Sequence, residues 1–212
     1  MTAATTTDPF QREPELATQQ PTEVDMSTTE APTKTFLIRG LVAIAWAAVF
    51  VAVADSLTTG VTVAAGILVV IYPLIDVAAS LIDARSQRGS ARRLLLAGAA
   101  VSAVAAAALA IAVTGSVSDV LAAFGVWALL SGAAQVVVAL RRRAQLGNQW
   151  PMLLAGVGSV GFGIAYIIAS TGTDPMLNML AIYAAGGGID FLVQAWLLAR
   201  RRRRMAALPA PA

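Results

Sequence analysis

VVVALRRRAQLGNQWPMLLAG, Val136 to Gly156, passes from an apolar run through three consecutive arginines and back into an apolar run within 21 residues. A helix of a soluble domain keeps its charges along one face, whereas here they are pushed to the end of a long uncharged segment. The run before the arginines occupies about 118 to 140 and the run after them about 150 to 170. Each is close to the roughly 20 residues that cross a 30 Å hydrocarbon layer. The stretch therefore reads as two membrane helices joined by a basic loop.

Composition extends that reading to the whole chain. Of its 212 residues, 58% are hydrophobic and 13% charged, against roughly half and a quarter in soluble domains. There is no cysteine and no histidine. Disulfides, thiol chemistry, structural zinc and haem ligation by these residues are thereby excluded, and neither a metal nor a cofactor is expected. Fourteen of the 15 basic residues are arginine and alanine is abundant, which points to a GC-rich bacterial genome. Residues 1–34 are rich in Thr, Glu, Gln and Pro with almost nothing to bury, and are expected to form a disordered cytoplasmic tail. Their polar, mildly acidic opening does not read as a signal peptide.

Four more runs, at about 35 to 55, 60 to 83, 92 to 114 and 175 to 199, bring the number of spans to six. Their connections alternate: DSLTTG, TGSVSD and STGTDP carry no basic residue, while RSQRGSARR, RRRAQLGNQ and the terminal RRRRR are strongly basic. All 15 Lys and Arg residues fall on one side of such an arrangement, and the positive-inside rule makes that side the cytoplasm. Both termini are then cytoplasmic, with 201–212 a basic tail, in the cytoplasmic (inner) membrane of a bacterium. The partners expected are the bilayer, anionic lipid head groups at the arginine clusters and, as an option, a second copy in a homo-oligomer. No nucleic acid is expected, because each arginine run abuts a membrane-length segment and no aromatic residues interleave with it.

Gly40, Gly98 and Gly156 are 58 residues apart, LLAG recurs at Leu95 to Gly98 and Leu153 to Gly156, and Thr-Gly recurs at Thr59, Thr114 and Thr171. An aromatic residue, Tyr72, Trp127 or Tyr183, stands in the first half of each even-numbered span. The expected fold is all-α: an integral membrane protein of six transmembrane helices, built as three parallel tandem helical hairpins at about 35–84, 92–141 and 150–200.

The stretch GVWALLSGAAQVVVALRRRAQLGNQWPMLLAGVGSVGFGI, Gly125 to Ile164, resembles the short membrane repeat of the HdeD acid-resistance family, with its aromatic, small residues and Gly-x-x-Gln, basic loop and glycine-rich span. The resemblance is clearest over 118–200 and weaker over 35–117, where Tyr-Pro-Leu-Ile-Asp replaces the glycine-centred pattern. It implies a six-helix bacterial inner-membrane protein connected with acid stress. It implies no catalytic residues.

Polar residues inside the spans are the candidate site. Counted back from the first arginine of each basic cluster, Asp76, Ser131 and Asp190 lie nine or ten residues away, about 14 to 15 Å deep at 1.5 Å per residue. Ser80, Gln135 and Gln194 follow each by four residues, on the same helix face. A central Asp costs about 2.5 to 3.5 kcal/mol to insert, against about 3 to 5 kcal/mol gained by the nine Leu, Ile, Phe and Val residues of span six. With no cation at that depth the carboxyls are expected to be neutral and to bond to neighbouring helices. A pseudo-threefold bundle would turn the three positions to a shared polar centre, and Gly186 to Gly188 would let a neighbouring helix come close enough for Asp190 to reach it.

Smaller features fit the same frame. Asp83, nearer the surface, is expected to meet Arg85 or water. Pro73 should kink span two by freeing a carbonyl near Val69, and Asp174 with Pro175 should start span six. Ser159 with Gly163, and Gly98 with Ser102, should line helix interfaces. The formal G-x-G-x-x-G at Gly156 to Gly161 lies inside a span with no strand before it, so helix packing explains it better than a dinucleotide. Trp150 and Trp196 should anchor helix ends, and Trp46 and Trp127 should pack internally.

Three function classes follow. The first is a non-enzymatic HdeD-like membrane protein of acid or envelope stress tolerance, and the second a small proton-linked transporter or channel using Asp76 and Asp190. An enzyme ranks third, because the only lysine, Lys34, lies outside the bilayer and leaves no Ser-Lys dyad.

Overall fold

The structure, a computed structural model, describes residues 27–54, 60–146 and 150–206. They form six helices: α1 Ser27–Ala54, α2 Val63–Ser86, α3 Gly89–Ala112, α4 Val117–Leu146, α5 Trp150–Ser170 and α6 Met179–Ala206. Each contains a segment long and apolar enough to cross a membrane. Large apolar side chains stand bare on every helix, among them Val63 at 81%, Ile111 at 73% and Val104 at 71% exposure. Apolar surface this extensive is a liability in water and the ordinary state of a helix facing lipid.

Local chemistry sets most boundaries. Thr62 caps α2, its hydroxyl accepting from Ala65 N at 3.3 Å. At the start of α4, Ser116 and Asp119 form a reciprocal capping box: Asp119 N donates to Ser116 Oγ at 3.2 Å and Ser116 N to Asp119 Oδ2 at 2.8 Å. Gly89, with φ 60°, makes the tight turn between α2 and α3 in a conformation that suits glycine.

Four boundaries differ from the sequence expectation. α1 begins at Ser27, so the last part of the expected disordered tail is helical, while residues 1–26 lie outside the described residues, as do Asp55 to Thr59 of the connection between α1 and α2. α6 starts at Met179 rather than at Asp174–Pro175. The four residues before it are drawn into tight turns, with Met179 N donating to Met176 O and Leu180 N to Leu177 O, while buried Leu177 plugs the end of the core. At the basic ends α4 continues to Leu146 and α6 to Ala206, because arginine is itself a good helix former. α2 runs unbroken through Pro73. The indole of Trp46 donates to Leu68 O at 2.9 Å, next to the carbonyl that the proline leaves without its helical donor.

Among the described residues the backbone of each helix comes close only to its chain neighbours, and α6 returns to α1, so the six close into a ring. The closest seams are α4–α5, α1–α6 and α2–α3. They fall between the stretches 35–84, 92–141 and 150–200 rather than within them, so the packing pairs are out of phase with the sequence repeat. Glycines make the approach possible. A methyl on Gly132 would lie 2.6 Å from Gly156 O, one on Gly163 2.7 Å from Gly125 O, and one on Gly40 2.9 Å from Gly188 O. Ser159 and Gly163 are buried at the α4–α5 seam, as expected. Gly98 is not at a seam: a methyl there would meet nothing within 4 Å, although Ser102 one turn later is buried.

Gly132→Ala should therefore destabilise the bundle by about 1–3 kcal/mol through overpacking, whereas Gly158→Ala adds a methyl to open space and should be neutral. Thermal unfolding in detergent micelles, followed by circular dichroism, reads both. Equal midpoints would refute the close α4–α5 seam.

Candidate functional site

The repeat aromatics meet at the axis of the ring. Ring centroids of Tyr72 and Trp127 are 5.8 Å apart, those of Tyr72 and Tyr183 6.2 Å, and those of Trp127 and Tyr183 6.1 Å. The triangle is nearly equilateral, one corner from each of α2, α4 and α6. Phe124 joins it, tilted against Tyr72 at 6.0 Å and edge-to-face with Tyr183 at 5.3 Å. Trp46 lies against Tyr72 at 4.7 Å, and Phe162 and Tyr166 lie against Tyr183. Trp46 and Trp127 are buried packing residues, as expected, while Trp150 and Trp196 are exposed.

Odd-numbered helices hold the triad through hydrogen bonds. Trp127 Nε1 donates to Ser102 Oγ at 3.1 Å, and Ser102 in turn donates to Asp76 Oδ2 at 2.7 Å. This chain ties α4, α3 and α2 together. Ser159 of α5 bonds the Tyr183 hydroxyl at 2.6 Å, and Tyr166 donates to Met179 O at 2.8 Å, pinning the start of α6. Ser102 precedes Trp127 by 25 residues and Ser159 precedes Tyr183 by 24, so one serine-to-aromatic bond occurs in each of the second and third repeats. In the first, Trp46 takes the serine's place and packs on Tyr72 by its ring.

The six candidate residues fall in different surroundings. Asp76 is half-buried and bonded to Ser102, Ser80 is buried, and Ser131 and Gln135 are half-buried on α4. Asp190 is half-buried and accepts from Gln194 Nε2 at 2.5 Å, within its own helix. No hydrogen bond among the described residues links Asp76, Ser131 and Asp190. The reason is register. Four residues after Tyr72 and Trp127 come Asp76 and Ser131, but four after Tyr183 comes Gly187. A methyl on Gly187 would lie 3.8 Å from the Tyr72 hydroxyl, so Gly187 takes the axial place expected of Asp190. Span six holds 17 residues from Tyr183 to Arg200, against 14 from Trp127 to Arg141 and 13 from Tyr72 to Arg85. Counting back from the arginines therefore placed Asp190 three residues too far along. Gly188, and not Asp190, makes the close approach to α1, at Gly40 and Ile44.

Asp83 also differs from expectation. Its partner is Arg39 of α1, Nη2 to Oδ2 at 2.8 Å, instead of Arg85. The Arg39 guanidinium lies 5.8 Å from the Phe191 ring of α6, so one side chain of α1 reaches both α2 and α6.

Sequence reasoning missed Ser102, Ser159 and Tyr166 as partners. The signal was available: counted from the connections on either side, Ser102 lies at the depth of both Asp76 and Trp127. The large buried apolar cluster, Trp46, Phe50, Val69, Leu109, Phe124 and Tyr166 among its members, lies toward the ends joined by 113–116 and 171–178. Asp76 and Ser80 follow Tyr72, and Ser131 and Gln135 follow Trp127, by one and two turns toward the arginine-rich ends. The interior thus has an aromatic half and a more polar half. Among the described residues no group of three or more Asp or Glu side chains could hold a metal ion.

Comparison with protein-family models, curated proteins and solved structures finds no match to this chain.

Ser102→Ala should cost about 0.6–1.7 kcal/mol, the range of interhelical hydrogen bonds in membranes, and combining it with Trp127→Phe should be less than additive. Ser170→Ala, which removes only a bond to the Ile167 carbonyl of the same helix, serves as the control. Unfolding free energies in micelles that were equal for Ser102→Ala and Ser170→Ala would remove the tertiary role of the chain.

Proposed function

We propose that this chain is a non-enzymatic, HdeD-like protein of the bacterial inner membrane, acting in tolerance of acid or envelope stress. In this reading the six spans are three tandem hairpins, with both termini and the arginine clusters in the cytoplasm. The distribution of charge supports the orientation, since every arginine cluster ends a membrane-length segment. The likeness of Gly125 to Ile164 to the HdeD repeat supports the family, and with it the connection to stress.

The observation that carries the non-transport reading is the aromatic layer. Tyr72, Phe124, Trp127 and Tyr183 pack at centroid distances of 5.1 to 6.2 Å across the ring axis, which is the packing of a protein interior and not of a conduction path. A second reading, a proton-linked transporter or channel, is favoured by the position of Asp76 one turn from that layer, with its carboxylate held by Ser102. A proton would then reach Asp76 from the arginine side and need the aromatic layer to part. Asp190, bonded within its own helix, is less suited to that role.

Survival of a deletion strain under acid challenge separates the readings. Wild type, Asp76→Asn and Asp190→Asn should all restore survival to the same level if the protein works as a packed membrane scaffold. Loss of survival with Asp76→Asn at normal membrane abundance would favour proton coupling, and an unchanged phenotype on deletion would remove the stress role. Because the chain has no cysteine, single cysteines at Ser90 and Ser116 report the orientation directly. An impermeant maleimide added outside intact spheroplasts should label position 116 and spare position 90, and the reverse pattern would invert the model.

A further inference from the structure

α1 and α6 pack closely at Gly40 and Gly188, and nearer the arginine-rich end a cleft of about 380 Å³ lies between them. Its walls are Thr33, Lys34, Ala199, Arg202, Arg203 and Ala206. The volume is within the range of small-molecule sites. The hollow exists because Ala199 and Ala206, seven residues apart on one face of α6, are too small to fill it. Between them Arg202 and Arg203 come to the rim, and Lys34 faces them from α1.

Five consecutive arginines on a helix point around its whole circumference, so most of Arg200 to Arg204 have no reason to converge. Arg200 is committed elsewhere, its guanidinium 5.1 Å from the Trp196 ring. Trp196 is 56% exposed, and an exposed indole at a helix end marks the level where hydrocarbon gives way to head groups. The cleft lies one to two turns beyond it on the same helix, at the depth of lipid phosphates. Three cations therefore share one concave site at that depth, and none of the described residues lining it is a carboxylate. Thr33, Lys34 and Arg202 are each also engaged within the protein, which limits the side-chain entropy lost on holding a ligand. A guanidinium has five donors and retains capacity for a phosphate alongside such a contact.

We infer that this cleft binds the phosphodiester head group of an anionic phospholipid, with Arg202 and Arg203 donating to the phosphate, Lys34 supplying a point charge from α1, and the Thr33 hydroxyl a further donor. The inference deepens the proposed membrane reading, on which it rests. It separates one lipid-specific site from the diffuse attraction that every basic cluster of the chain exerts on an anionic surface. Lipid held there would also bridge α1 and α6, the seam that closes the ring.

Native mass spectrometry of the full chain, purified in detergent and titrated with phosphatidylglycerol or phosphatidylcholine, tests it. One phosphatidylglycerol should be retained per chain in preference to phosphatidylcholine. Arg202→Gln with Arg203→Gln should weaken that retention about 30-fold, as expected for two basic contacts at the surface. Arg201→Gln with Arg204→Gln removes the same charge from the same helix outside the cleft and should leave retention near the wild-type level. Equal weakening in both double variants, or none in the first, would overturn the site. Displacement of the lipid by millimolar inorganic phosphate would show that the cleft takes free phosphate and overturn the lipid assignment. Sedimentation of each variant with the membrane fraction keeps this result separate from the membrane reading: a chain that left the membrane would fail there first.

Discussion

Six helices whose backbones approach only their ring neighbours cannot fill their own centre, and the aromatic side chains that do so are what the rest of the bundle depends on. At the usual interaxial spacing of about 8–10 Å, the axis of a six-membered ring lies about one such spacing from each helix. No backbone crosses that gap among the described residues. Tyr72, Trp127 and Tyr183 reach inward from alternate helices and touch, and Phe124 closes the remaining space. In hydrocarbon there is no hydrophobic drive to bring helices together, so dense side-chain packing and interhelical hydrogen bonds must supply the cohesion.

The hydrogen bonds lie where the packing alone would leave the aromatic rings free to turn. The indole of Trp127 and the phenol of Tyr183 are each fixed by a serine on an odd-numbered helix, and the first of these serines also takes up the carboxylate of Asp76. Asp76 is thereby a structural member of the aromatic layer as well as the nearest titratable carboxyl to it. Asp76 is thus tied to a second helix, whereas the bond of Asp190 stays within α6.

The ring also explains why close seams and sequence repeats are out of step. Glycine pairs draw α4 to α5 and α1 to α6, and small residues draw α2 to α3. Each repeat thus presents one close face to the repeat before it and one to the repeat after it. The third returns to the first through α6 and α1, which makes the α1–α6 seam the closure of the whole assembly. The arginine-lined cleft sits at the end of that seam, and the Arg39–Asp83 pair ties its inner side to α2.

Length, apolarity and the segregation of arginine were enough to determine six spans, most of their limits, and the aromatic residue common to each even-numbered one, because a 30 Å hydrocarbon layer and the cost of burying charge act on every residue independently of its neighbours. Which helices would pack together was not determined in that way. Glycines outside and inside the seams look alike in a sequence, and Gly98 and Gly158 face open space while Gly132 and Gly163 do not. The partner of Asp76 and the isolation of Asp190 were likewise decided only in three dimensions. A side chain's partner depends on the rotation and register of two helices, and three extra residues in span six turned Gly187, rather than a carboxylate, toward the axis.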